Sequence, residues 1–380
     1  MPKTLFSRRD FSRVVGQSLA LAFAAPGLRA HAGARPAGAP PSPLIHLDFN
    51  ENPYGPTPKA LEALDTCGPV AARYPDREHA AMRDALAQLH GVERENILLG
   101  CGSGEILRVA DLTFLTPGKS VVAAEPTFEA VLNYARVLHA SAVKVPLTTD
   151  HRHDLPKMAE ACTSKTGVVY VCNPNNPTGT IVTHDELADF IPRVPSTALI
   201  LVDEAYFHFA ENPHYGSVTD LIPKHPNVLV ARTFSKIYGL AGMRLGYAVG
   251  SKETIATMHD QILRDNGNAA VLAAALASLA DRDYVAASRA RMNATRRWLA
   301  TQLTQDGRSF IPSEANFMMI DMGTDVKPII EEFRTRNILV GRRFASMSNY
   351  LRVTIGTQPE TEAFMAALRE IAPARASKAA

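Results

Sequence analysis

Cysteine is scarce in this sequence. Cys67, Cys101, Cys162 and Cys172 are the only four among 380 residues, and their spacing shows neither close pairs nor a zinc pattern, so a disulfide scaffold and a zinc module are both excluded. There is one tryptophan and no long run of either charge; 40 Lys and Arg face 38 Asp and Glu, for a net charge of +2. That balance excludes a nucleic-acid binder working by phosphate neutralisation. No apolar stretch reaches the roughly 20 residues that a membrane span requires. What is present is an ordinary globular composition, 46% hydrophobic and 21% charged, in a chain long enough for two packed units of about 100–200 residues each.

The first 32 residues stand apart. They hold Lys3, Arg8, Arg9, Arg13 and Arg29 against Asp10, leaving 35 basic and 37 acidic residues in the remainder. Ser7-Arg8-Arg9-Asp10-Phe11 precedes an Ala-rich apolar run from Val14 to Leu28, and Ala30-His31-Ala32 then offers small residues spaced for signal peptidase. The pattern is that of a bacterial export signal and resembles the twin-arginine type, which carries folded proteins to the periplasm. Residues 33–43, rich in Pro, Gly and Ala, are expected to form a flexible leader.

From residue 97 to 250 short apolar runs alternate with longer amphipathic segments: Ile97–Leu99, Val121–Ala124, Val168–Cys172, Ala198–Val202, Val228–Ala231 and Tyr247–Val249. This is the pattern of an α/β domain with a mostly parallel sheet. Beyond residue 280 the order changes to a long helix, short strands and a last helix from Pro359. The expected organisation is a segment 44–70 joining a smaller α+β domain of 280–380, with a large domain over 71–279.

In open α/β sheets ligands sit beyond the carboxyl ends of strands. After Leu99 comes Gly100-Cys101-Gly102-Ser103-Gly104-Glu105, opening a helix whose N–H groups favour an anion. After Cys172 comes the rigid turn Asn173 to Gly179, and after Val202 comes Asp203-Glu204-Ala205-Tyr206. After Ala231 comes Arg232-Thr233-Phe234-Ser235-Lys236, then Gly239 to Gly246 with Arg244. Tight turns, helix capping by Asp203 and a solvated lysine explain each cluster separately. One job explains them together: a lysine that forms a Schiff base, Ser and Arg groups that hold phosphate, and a carboxylate that keeps a pyridine nitrogen protonated. His151-Arg152-His153-Asp154 lacks a second cluster of metal-ligand spacing and reads as a surface loop, so no metal is expected.

With these strings in order, together with Asn50 to Pro56, Arg73-Tyr74-Pro75-Asp76 and Leu351-Arg352-Val353, the sequence resembles the class I/II aminotransferases of the pyridoxal-phosphate-dependent transferase fold type I. It is most similar to their histidinol-phosphate aminotransferase branch. The resemblance implies that Lys236 carries pyridoxal 5'-phosphate as a Schiff base, that Asp203 pairs with the pyridine nitrogen, and that Asn176 and Tyr206 bind the phenolic oxygen. Phe128 would stack on the ring. Ser103, Gly104, Thr233, Ser235 and Arg244 would hold the phosphate, joined by Tyr74 from a neighbouring subunit, which implies a homodimer with shared sites. Arg352 would grip the substrate carboxylate, with Tyr54 and Asn316 lining the pocket. Where the branch commonly has arginine, directly after Ile338-Leu339-Val340, this chain has Gly341, followed by Arg342 and Arg343 as candidates for a distal anion. The implied activity moves an amino group between an amino acid, or an amine such as histidinol phosphate, and a 2-oxo acid. Decarboxylation of the threonine-phosphate decarboxylase type, or cofactor binding without turnover, are the alternatives.

Overall fold

The computed structural model describes residues 44–264 and 266–373; the expected export signal and leader lie outside the described residues. The strands are β1 (Ile45–Leu47), β2 (Ile97–Gly100), β3 (Ser120–Glu125), β4 (Ser141–Pro146), β5 (Thr166–Cys172), β6 (Leu199–Asp203), β7 (Val228–Thr233), β8 (Gly246–Gly250), β9 (Phe310–Ile311), β10 (Phe317–Asp321), β11 (Ile338–Val340) and β12 (Tyr350–Thr354). Seven of them form one sheet in the order β2-β8-β7-β6-β5-β3-β4. β8 runs antiparallel to both neighbours, while the pairs from β7 to β4 are parallel. The carboxyl ends of β2, β3, β5, β6 and β7 therefore share one edge.

β5, β6 and β7 are buried along their whole length, as strands covered by helices on both faces are. Alternation decides which face each side chain meets. Val169, Val171, Ile200, Val202, Val228 and Val230 join one core. Val168, Tyr170, Cys172, Leu199, Leu201, Leu229 and Ala231 join the other, beneath the helices Ser103–Phe114 and Ala130–Val137. Asp203 and Thr233 continue the second series, so they face those helices, whereas Glu204 and Arg232 fall on the first face.

β4 has no counterpart among the expected strands. It lies at the sheet edge with only Val145 of its six residues buried, so it carries no continuous apolar run. A third core gathers around β10 and β12, the helix Gln358–Ile371 and the long helix Arg282–Gln305. β1 pairs in parallel with β11, which ties the N-terminal segment to the C-terminal strands. Among the described residues no helix is long and apolar enough to cross a membrane.

Candidate active site

An anion cup forms where β2 and β7 end. The helix Ser103–Phe114 begins after Gly102, which has φ of +76° and no side chain to cap the first N–H groups. A Cβ at Gly102 would collide with the guanidinium of Arg244, so the glycine is what lets that charge approach the helix N-terminus. Arg244 itself has φ of +63°, a conformation that costs a non-glycine residue on the order of 1 kcal/mol and persists where the surroundings demand it. Its Nη1 donates to Ser235 Oγ at 3.3 Å and to the Ala241 carbonyl at 2.7 Å. Thr233 Oγ1 donates to Ser235 Oγ at 2.9 Å and accepts from the Ser235 N–H at 3.0 Å.

Lys236 follows this cup. Its Nζ donates to the Phe49 carbonyl at 3.0 Å and stands 5.6 Å from the centre of the Tyr206 ring. Burial, then the charge of Arg352, lowers its pKa to about 8, against the pull of Glu51 and Asp203. Asp203, 2% exposed, ends β6; its Oδ2 accepts from the Tyr170 hydroxyl at 2.9 Å and its Oδ1 from the Ala205 N–H at 3.1 Å. Burial raises its pKa to about 6, with the Tyr170 hydrogen bond opposing. Asp203 therefore lies within a strand and caps no helix.

The Tyr206 hydroxyl accepts from Asn50 Nδ2 at 3.1 Å and from Asn176 Nδ2 at 3.4 Å. Burial holds its pKa above the ordinary phenol value, with the Asn50 hydrogen bond working the other way. Asn176 Oδ1 in turn accepts from Arg352 Nη1 at 2.9 Å, and Arg352 Nη2 donates to the Asp48 carbonyl at 2.6 Å. Arg352 is buried and its Nε has no partner. Burial lowers its pKa. A guanidinium taken out of water and met only by neutral acceptors is costly unless an anion joins it, and its planar fork suits a carboxylate or phosphate.

The remaining expected residues divide. Asn316 is buried and donates to the carbonyls of Asn50 and Glu51 at 3.0 and 3.3 Å, fixing the backbone that carries Phe49. Phe128 is 40% exposed; Thr127 and Pro126 beside it are tied to Asn175 at 2.8 and 3.1 Å. Tyr54 lies under the guanidinium of Arg291, 4.3 Å from its ring centre. Tyr74 is 78% exposed. Arg342 is paired with Glu129 at 2.6 Å and Arg343 with Asp325 at 2.6 Å.

Tyr170, Asn50 and Asp48 are contributors to which the sequence reading assigned no role; Tyr170 is a lone phenol in a valine-rich strand, and Asn50 opens a string that had been singled out. The 151–154 segment also departs from a surface loop. His153 and Asp154 are buried, His153 Nε2 lies 2.9 Å from the Cys172 carbonyl, and burial lowers its pKa to about 4. Asp154 caps the helix Leu155–Glu160. Among the described residues no group of three or more His, Cys, Asp or Glu is placed to hold a metal ion.

These residues fit a phosphorylated pyridine aldehyde. The anion cup suits its phosphate, the buried Asp203 its ring nitrogen, the Tyr206 and Asn176 pair its phenolic oxygen, and Lys236 its aldehyde.

Comparison with known proteins agrees. The family described as Aminotransferase class I and II matches residues 42–368. A histidinol-phosphate aminotransferase of Moorella thermoacetica is 40% identical over 331 residues, covering 86% of this chain and 85% of that protein. Histidinol-phosphate aminotransferase 2 of Pseudomonas fluorescens is 38% identical, covering 87% and 90%. The crystal structure of histidinol-phosphate aminotransferase from Sinorhizobium meliloti, in complex with pyridoxal-5'-phosphate, superposes with a TM-score of 0.81 at 29% identity, over 86% of this chain and 90% of that one.

Proposed function

The chain belongs to the aminotransferase class I and II family, and from that premise we propose that Lys236, Asp203 and Arg352 are the working groups of its pyridoxal-phosphate-dependent transfer of an amino group between an amino acid and a 2-oxo acid. When bound, the cofactor supplies an aldehyde that takes up the amino group and a protonated pyridine ring that draws electrons from the neighbouring carbon.

The protein's own residues do the rest. Arg352 fixes the substrate carboxylate in position and angle with two parallel donors. Lys236, as a neutral amine, would take the proton from the substrate Cα and deliver it to the former aldehyde carbon, two bonds away across the nitrogen. Asp203, ionised, would pair with the ring nitrogen and keep it protonated, with Tyr170 holding that carboxylate in place. Asn176 and Tyr206 would hold the phenolic oxygen, and Phe128 would pack against the ring. Ser103, Gly104, Thr233, Ser235 and Arg244 hold the phosphate.

The observation that carries this reading is the setting of Lys236. Its amine is depressed to about 8 by burial and Arg352, is held by a neutral carbonyl, and shares one sheet edge with a buried carboxylate and an anion cup. Borohydride reduction of freshly purified protein followed by peptide mapping is expected to find the cofactor fixed to Lys236; an unmodified Lys236 would refute the assignment. A panel of amino donors, histidinol phosphate included, assayed for oxo product and for CO2, separates transfer from decarboxylation and identifies the donor.

Two further features belong to the same reading. We propose a homodimer in which Tyr74 reaches the partner's phosphate cup; the exposure of Tyr74, Phe49 and Leu263 supports a covered surface, and sedimentation of Tyr74→Asp against the unaltered chain tests it. We also propose export to the periplasm by the twin-arginine route with cofactor already held, on the strength of Arg8, Arg9 and the apolar run after them. Fractionating cells that express Arg8→Lys/Arg9→Lys is expected to show the protein retained inside; unchanged export would overturn the route.

A further inference from the structure

The register of β6 with β7 ends where Asp203 stands opposite Ala231, and the Glu204 N–H still donates to the Ala231 carbonyl at 2.8 Å. The next residue in each segment carries a charge. Glu204 Oε2 accepts from Nε and Nη2 of Arg232 at 2.9 and 2.7 Å, with both side chains buried. Ser217 Oγ, 2.9 Å from each oxygen, also donates to this carboxylate, and the Val218 N–H donates to Oε1 at 3.2 Å. The Arg232 guanidinium lies 3.8 Å from the centre of the Phe207 ring, and Arg232 stands opposite Tyr247 on β8. Every one of these contacts is internal to the protein, and the proposed chemistry uses none of them.

A buried ion pair is weak evidence of a stabilising device, because apolar side chains of similar volume commonly serve the fold as well or better. What a guanidinium and a carboxylate add is a fixed geometry, since paired donors set both separation and angle. The position of this pair says which geometry it fixes. Glu204 follows Asp203, the carboxylate assigned to the ring nitrogen, and Arg232 precedes Thr233, the first residue of the phosphate cup on β7. Alternation turns Asp203 and Thr233 to the opposite face of the sheet from the ion pair. We infer that Glu204 and Arg232 are positioning residues that set the spacing between Asp203 and the phosphate cup, so that one rigid cofactor engages both at once. The inference rests on the proposed function and deepens it. A pyridine ring bearing a phosphate arm keeps its nitrogen and its anion within a limited span. Joining two contacts in one molecule multiplies affinity only where the two sites match that span, and the gain vanishes where they do not. Apolar replacements fill the same volume but leave the ends of β6 and β7 without the bridge that holds them in step.

The test separates spacing from folding. Pyridoxine 5'-phosphate has the ring nitrogen and the phosphate but no aldehyde, so it probes the two-point grip without a bond to Lys236. Calorimetry on the full-length protein freed of cofactor compares it with pyridoxine and with inorganic phosphate, each of which engages one end. Glu204→Leu/Arg232→Met is expected to bind pyridoxine 5'-phosphate on the order of 10²-fold more weakly, the worth of joining two contacts, while pyridoxine and phosphate keep their affinities. Arg232→Lys retains a cation for Glu204 and loses the paired donors, so its affinity is expected to fall between the two; it decides the question where the double variant fails to fold. In the holoenzyme, the same variants are expected to lose pyridoxal phosphate faster on dialysis. Unchanged affinity for pyridoxine 5'-phosphate would overturn the inference, and so would an equal loss for all three ligands, which marks general damage to the site. An unaltered protein that binds pyridoxine 5'-phosphate no better than phosphate would instead refute the cofactor reading, and this inference with it.

Discussion

The N–H of Gly341 donates to the carbonyl of Arg352 at 2.8 Å, and a Cβ at position 341 would stand 2.8 Å from that oxygen, 2.9 Å from Arg352 Cβ and 3.0 Å from its Nε. The backbone just after β11 is thus drawn so close to β12 at Arg352 that no side chain fits between them. Position 341 is closed to any side chain by the backbone and side chain of Arg352 on β12.

Gly341→Ala is expected to displace Arg352, because the obstructing atoms include a backbone oxygen that cannot swing aside. A misplacement of about 1 Å costs roughly 10²-fold in rate. Steady-state kinetics with the preferred donor should show kcat/KM reduced on that order; an unchanged value would mean that the strand relaxes freely.

Lys236 provides a titration. In protein stripped of cofactor, the rate of modification by an amine-selective reagent should rise with pH and reach half its limit near pH 8, since only the neutral amine reacts and burial with Arg352 lowers the pKa to about 8. Arg352→Met removes a neighbouring positive charge, which stabilises the ammonium and moves the midpoint upward. A midpoint at the ordinary lysine value of 10.5 in the unaltered protein would contradict the environment described.

Asp203 sets the acid side. Its carboxyl, raised to about 6 by burial, is held down by the Tyr170 hydroxyl. Below that pH it is neutral, and in its proposed role it would no longer hold a protonated pyridine nitrogen. Tyr170→Phe removes a donor to the ionised form, so the acid limb of cofactor affinity should move to higher pH. Equilibrium dialysis of pyridoxal phosphate between pH 5 and 8 measures this.

Glu204 and Arg232 form a pair buried to 1% and 7% exposure, with both Nε and Nη2 donating to Glu204 Oε2 at 2.9 and 2.7 Å. Burial alone would lower the Arg232 pKa, and Glu204 reverses that. Breaking such a pair from one side strands the other charge, at a cost of about 3–5 kcal/mol. Glu204→Gln should therefore lower the urea midpoint sharply, whereas replacing both partners with apolar residues should recover much of the loss.

Asp111 lies fully buried in the helix behind the anion cup with neither oxygen partnered, and burial raises its pKa to about 8. The unfolded chain then ionises at lower pH than the folded one, so stability is lost as pH rises from about 4 toward 8. Asp111→Leu should flatten that slope in urea melts taken across the range.

Much of this was legible beforehand for a physical reason. β2, β3, β5, β6, β7 and β8 are covered by packing, so burial wrote each into the sequence as an apolar run closed by turn residues, and the chemical groups follow directly at the ends. Burial also defines what was illegible. β4 is an edge strand exposed at five of six positions, and edge pairing imposes no such run.

The sequence by itself determined the alternation that builds the sheet, the strand-end position of Lys236, Asp203 and Arg244, and the family to which they belong, because these depend on local periodicity and short motifs. Only the tertiary structure decided that Tyr170 steadies Asp203, that Asn50 joins Tyr206 across 156 residues, that Gly341 makes room for Arg352, and that Arg342 and Arg343, adjacent in the chain, take different partners. Those relationships are set by strand register and by which face each side chain occupies, and neither is fixed until distant segments have packed.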